Sequence, residues 1–137
     1  TVYGRTDTVR LLTSGADSGN GYGLLHTFDG AANKDFLGWA ASELGDVNYD
    51  GFDDIVIGAS RFDDDSIATG PGDGYANVYD GRTGALIYQW VGPHNNAFLG
   101  HAVGGPGDVN LDGAADILVG SYGEDVGGMT RSAVVRT

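Results

Sequence analysis

The sequence predicts an all-β fold assembled from repeated four-stranded antiparallel sheets. Three features of the 137 residues lead there. Glycine is abundant, with 25 residues spread between short apolar runs and only 3 prolines, so tight turns are frequent and strands short. No stretch keeps apolar residues at helical spacing, so little helix is expected. The third feature is an internal duplication. Residues 36–59 and 98–121 align without a gap at an offset of 62, with 13 of 24 positions identical. A repeat of long period marks units that stack because none buries its faces alone.

Within one period four strands follow in order. The first covers 37–43 and the second 54–59, with the run Ile55-Val56-Ile57. The third covers 75–79 and the fourth 85–91. Between the last two lies Asp80-Gly81-Arg82-Thr83-Gly84, where Asp-Gly and Thr-Gly supply turn chemistry. The second and fourth strands are apolar at consecutive positions, which predicts that both faces of the sheet are covered. The offset continues upstream, aligning Leu24-Leu25-His26-Thr27-Phe28 with Leu86-Ile87-Tyr88-Gln89-Trp90. Four strands per unit, stacked face to face, make a β-propeller blade. A two-sheet β-sandwich is the alternative, but the long-period duplication favours radial repetition. The chain then holds about two blades. Residues 1–35 supply the third and fourth strands of a preceding blade, 36–97 a complete blade, and 98–137 an incomplete one.

Charge narrows the partners. Nineteen acidic against 7 basic residues give a net charge of −12, the wrong sign for nucleic acid or anionic membranes. Excess carboxylate suits hard cations, or simple solubility. No run reaches the ~18 apolar residues of a spanning helix, so no membrane insertion is expected. Without cysteine there are no disulfides, and the redox compartment goes unread. The chain opens at Thr1 rather than Met, which suggests a processed chain or a piece of a longer one.

Two segments carry the chemistry, and both read D-x-N-x-D-G-x-x-D. One runs from Asp46 to Asp54 and the other from Asp108 to Asp116. Ca²⁺ takes six to eight hard oxygen ligands at about 2.3–2.6 Å. A coiled backbone brings alternate side chains to one point, so Asp46, Asn48 and Asp50 are candidate ligands, as are Asp108, Asn110 and Asp112. Gly51 and Gly113 permit the sharp bend. Phe52 and Ala114 then offer backbone carbonyls, and Asp54 and Asp116 close the cage. Three carboxylates so close repel one another unless a cation neutralises them. Two Ca²⁺ sites follow. Mg²⁺ suits them less, since it demands a tighter octahedron. An Asx-turn loop without metal is the competing reading. An EF-hand is excluded, because its acidic twelfth position is occupied here by Ile57 and Val119, in strand-like runs.

The pattern F-L-G, then G-D-x-N-x-D-G-x-x-D-I-x-V-G-[AS], resembles the FG-GAP repeat of integrin α-subunit propellers and their bacterial relatives. It is carried by Phe36-Leu37-Gly38 with Gly58-Ala59, and by Phe98-Leu99-Gly100 with Gly120-Ser121. The proline that usually closes the motif is absent, with Ser60 and Tyr122 in its place. The resemblance implies a propeller blade with a chiefly structural Ca²⁺ in the loop joining its first two strands. Absence of cysteine points to a bacterial source.

The functional expectation is a calcium-stabilised structural or adhesion protein, extracellular or at the cell surface, and not an enzyme. A protein- or glycan-binding propeller module is the alternative, and a non-catalytic part of a propeller-containing hydrolase or lyase a third. Partners are further copies of the chain, as a homo-oligomer or filament joined through incomplete blades, or the remainder of a longer propeller. Asp63-Asp64-Asp65 with Asp73, and Glu124-Asp125 in the matching place, form acidic loops that read as solvated rather than ligating. His26, His94 and His101 lack metal-ligand spacing, and His101 aligns with Trp39 as a packing position. Trp39 and Trp90 are expected to fill the wedge between blades.

Overall fold

A computed structural model of the protein describes residues 6–13, 23–33, 35–60, 74–92, 98–126 and 129–136. Its strands form three antiparallel sheets, and no helix occurs among the described residues. In the first sheet, β1 (Thr6–Thr13) pairs with β2 (Gly23–Asn33). The second holds β3 (Leu37–Glu43), β4 (Ile55–Ala59), β5 (Tyr75–Tyr79) and β6 (Leu86–Val91), in that order. The third holds β7 (Ala102–Gly107), β8 (Asp116–Val126) and β9 (Met129–Arg136). This is the all-β, partial-propeller architecture that the duplication predicts.

The four-stranded sheet lies between the other two, and the period-2 alternation of its strands feeds both contacts. Val56, Ala76 and Val78 point one way and join Leu99 and Val119, with Val103 and Ile117 packed alongside. Ile57, Ala59, Tyr75 and Tyr79 point the other way and join Phe28, with Val9 and Leu11 alongside. Both faces of β4 and β5 are therefore dry, which explains why Ile55-Val56-Ile57 is apolar without alternation. Each buried Val or Ile side chain contributes about 1.5–3 kcal/mol of transfer free energy. The one amide in β5, Asn77, is buried but satisfied. It donates to the Tyr79 hydroxyl at 2.9 Å and accepts from Gln89 Nε2 at 2.9 Å.

The fourth strand departs from expectation. Leu86, Tyr88 and Val91 are exposed, and only Ile87 and Trp90 reach the core. The cause is position: β6 is the outer strand of its sheet, and the neighbouring sheets cover β4 and β5. Glu124 and Asp125 also depart from expectation, lying within β8 rather than in a loop.

Backbone contact joins the second and third sheets. Leu99 is buried and bridges to Gly74, and a Cβ on Gly58 would stand 2.0 Å from the Gly100 carbonyl oxygen. No side chain fits there, so the glycine of V-G-[AS] in one repeat is required by the F-L-G segment of the next. The F-L-G backbone is itself repeated, with Phe36 and Phe98 at φ 57° and 55°.

Candidate metal centre

Each acidic loop leaves one strand and runs straight into the next. The neck of the first loop is closed by backbone pairing. Leu44 N donates to Asp54 O at 2.7 Å, and Asp54 N to Gly45 O at 3.3 Å. Inside the loop Asp46 accepts twice, from Asp50 N at 3.0 Å and Gly51 N at 2.7 Å. Asn48 Oδ1 accepts from Asp50 N at 3.1 Å, and Asp50 Oδ1 from Phe52 N at 2.9 Å. Asp54 Oδ2 accepts from Val47 N at 2.9 Å.

The second loop repeats the internal bonds, though Pro106 stands where Leu44 is and has no N–H for the neck. Asp108 accepts from Asp112 N at 3.1 Å and Gly113 N at 2.8 Å. Asn110 accepts from Asp112 N at 3.0 Å, Asp112 from Ala114 N at 2.9 Å, and Asp116 from Val109 N at 2.7 Å. The coil comes from left-handed backbone at two places per loop, Tyr49 and Gly51 at φ 61° and 90°, then Leu111 and Gly113 at 62° and 93°. Nothing crowds Gly51 or Gly113, so the positive φ alone accounts for glycine there.

The acidic side chains are thus turned to backbone amides. Among the described residues no group of three or more His, Cys, Asp or Glu side chains stands close enough to hold a metal ion. The donor set still fits one. Each oxygen that accepts a single N–H keeps a second lone pair. Every candidate ligand is a hard oxygen, with three carboxylates and one amide per loop, the chemistry that Ca²⁺ selects.

Comparison with known proteins places the repeats. Integrin alpha-E of Mus musculus is 36% identical over 111 residues, covering 73% of this chain and 9% of that protein. Integrin alpha-6 of Homo sapiens is 36% identical over 116 residues, covering 74% and 9%. Integrin alpha-V of Gallus gallus is 29% identical over 107 residues, covering 72% and 10%. This is an FG-GAP region of the integrin α propeller type. It spans about a tenth of the length of these relatives. No family model matches the chain.

The two FG-GAP loops differ in what surrounds them. Asp54 is 0% exposed, and its Oδ1 also accepts from Gly81 N at 3.1 Å. Asn48 Nδ2 donates to Asp80 Oδ2 at 3.1 Å, whereas Asn110 Nδ2 donates within its own loop, to Asp112 Oδ2 at 2.9 Å. The Arg82 guanidinium lies over the Phe52 ring, 5.7 Å from its centroid. These contacts were not visible in sequence, where Asp80-Gly81 reads only as a hairpin turn. The amides of Thr83 and Arg82, with Asn48, hold the Asp80 carboxyl below its ordinary value. The Ala114 amide and Asn110 do the same for Asp112. Burial pushes the Tyr79 hydroxyl up.

The remaining singled-out residues fall outside the loops. His26 Nε2 is 3.1 Å from the Gly81 carbonyl oxygen, joining the first sheet to the same turn. The His101 ring packs against Trp39 in a tilted arrangement, with centroids 5.4 Å apart, as a packing position should. Trp90 packs against the core, whereas Trp39 touches His101 of the next repeat but stays half exposed. Asp63, Asp64, Asp65, Asp73 and His94 lie outside the described residues.

Proposed function

We propose that this FG-GAP region is a calcium-stabilised, non-catalytic module of an extracellular adhesion-type protein, with one Ca²⁺ in each D-x-N-x-D-G-x-x-D loop. One observation carries the reading: both loops coil their candidate ligands with the same hydrogen bonds and the same pair of left-handed residues. Asp46, Asn48, Asp50 and Asp54 would ligate in the first loop through side chains, and Phe52 through its carbonyl. Asp108, Asn110, Asp112, Asp116 and the Ala114 carbonyl would do so in the second. A bound Ca²⁺ supplies positive charge that neutralises the carboxylates and pins the loop to the strand behind it. The integrin α relatives described above support an adhesive and non-enzymatic role at the cell surface.

The blade division that goes with this assigns 1–35 to a preceding blade, 36–97 to a complete one and 98–137 to another. A longer propeller is the favoured source of the further strands, because the relatives are about eight times longer than this chain. Self-association of the chain is the alternative, and light scattering of the purified chain distinguishes them.

The calcium reading is tested by melting. A ligand that binds only the folded state at ~100 times its dissociation constant adds about 2.7 kcal/mol per site. With two sites, excess chelator should therefore lower Tm by roughly 20 °C from its value in saturating Ca²⁺. Asp50→Ala and Asp112→Ala should each remove one site from a calorimetric titration. Unchanged melting in chelator would contradict the proposal.

A further inference from the structure

Among the described residues, three Asp-Gly pairs stand outside the strands: Asp50-Gly51, Asp80-Gly81 and Asp112-Gly113. A fourth, Asp29-Gly30, lies inside β2. Asp-Gly is the dipeptide most open to isomerisation, because glycine places no Cβ beside its own nitrogen. All three pairs are held by the same two contacts. First, the glycine N–H donates to a carboxylate from elsewhere in the chain. Gly51 donates to Asp46 at 2.7 Å, Gly113 to Asp108 at 2.8 Å, and Gly81 to Asp54 at 3.1 Å. Second, the aspartate of the pair turns its own carboxylate onto the amide two residues ahead. Asp50 Oδ1 accepts from Phe52 N and Asp112 Oδ1 from Ala114 N, both at 2.9 Å, and Asp80 Oδ1 from Arg82 N at 2.8 Å. Asp46 and Asp108 act within their own loops, whereas Asp54 reaches a turn 27 residues further on.

We propose that these three pairs are latent isoaspartate sites, and that Asp46, Asp54 and Asp108 guard them by holding the glycine nitrogens. The inference needs no bound ion and goes beyond the calcium reading. In an unguarded pair the glycine nitrogen attacks Cγ of the aspartate before it. A C–N bond forms, and the carboxyl hydroxyl and the nitrogen's proton leave as one water. Water then opens the resulting five-membered ring at either carbonyl, and one of the two products carries the main chain through Cγ. One water leaves and one enters, so no other reactant is required. A nitrogen whose proton is shared with a carboxylate gives that proton up less readily. Hydrogen bonds to charged groups should slow the reaction roughly tenfold or more. The isomer has one more main-chain atom and a shorter side chain. At Asp50 or Asp112 it would therefore destroy the D-x-N-x-D spacing of a loop, and the guards preserve that spacing.

Ageing of the full chain in chelator, followed by peptide mapping of isoaspartate, tests this. The folded parent should accumulate the isomer at all three pairs roughly tenfold or more slowly than the parent unfolded in guanidinium. Asp46→Ala should speed isomerisation at Asp50-Gly51 roughly tenfold and leave the other two pairs unchanged. Asp108→Ala should do the same at Asp112-Gly113 alone. Asp54→Ala is the most discriminating variant. It should act at Asp80-Gly81 and spare Asp50-Gly51, although Asp50 is far nearer to it in sequence. General loosening of the fold would instead speed all three pairs together. That outcome, three unchanged rates in the variants, or equal rates in the folded and unfolded parent would overturn the proposal. All leave the calcium reading intact, because melting in chelator and Ca²⁺ tests it separately. Should Asp54→Ala fail to fold, Asp46→Ala and Asp108→Ala decide by the same pair-specific pattern.

Discussion

Val47 and Val109 occupy the same place in two copies of one loop, yet Val47 is 9% exposed and Val109 57%. Asp54 and Asp116 differ the same way, the first fully buried and the second half-buried. Backbone torsions and internal hydrogen bonds are nevertheless shared. The loop conformation is therefore written locally, by Asx-type bonds and left-handed residues, while its burial is supplied from outside. Leu44 and Val47 join a core completed by Leu99 and Val119 of the next sheet, and the β5–β6 turn closes over Asp54. The same loop sequence thus stands among different neighbours at its two described positions.

The sharpest way to break this comparison is to remove the closing aspartate from each loop. Asp54→Ala would strand the Val47 and Gly81 amides in a buried place, each unmade bond costing about 1–3 kcal/mol. Denaturant unfolding in chelator should show a loss of about 3 kcal/mol. Asp116→Ala strands one amide that is near solvent and should cost about 1 kcal/mol. Equal losses would mean that the turn over Asp54 contributes nothing.

A smaller contrast comes from the valines. Val47→Ala empties part of the shared core and should cost about 1–2 kcal/mol. Val109→Ala changes an exposed side chain and should fall within about 0.5 kcal/mol of the parent. The same denaturant experiment reads both, and a large effect at Val109 would place a packing partner over the second loop.

This contrast marks what was legible in the sequence. Strands 37–43 and 75–79 agree with β3 and β5 to the residue, because turn glycines and the repeat bracket them. The loop pattern was legible because ligand spacing and the glycine bend are local requirements. What escaped was relational. Leu86-Ile87-Tyr88-Gln89-Trp90 looks as apolar as Ile55-Val56-Ile57, yet β6 sits at the sheet edge and β4 inside. Asp80 reads as a turn residue, and only the folded chain shows its free oxygen against Asn48. Periodicity reports which residues face a neighbour, and it does not report whether the neighbour is there.

The finest contrast is the partner chosen by the two asparagines. Asn48 donates to Asp80 outside its loop, and Asn110 to Asp112 inside. Both receiving carboxyls are held below the ordinary value of 3.8, chiefly by the Thr83 amide for Asp80 and the Ala114 amide for Asp112. A carboxyl lowered on folding lends stability that is fully present above pH 3.8 and is lost as pH falls through the lowered folded value. Asn48→Ala should raise the Asp80 midpoint and leave Asp112 unmoved, and Asn110→Ala should do the reverse. Carboxyl-carbon NMR titration in chelator reads each site separately. Both variants moving the same carboxyl, or neither moving its own, would erase the asymmetry between the loops at the level of single hydrogen bonds. Movement of each partner alone would show that one motif, placed twice, had been wired to different neighbours.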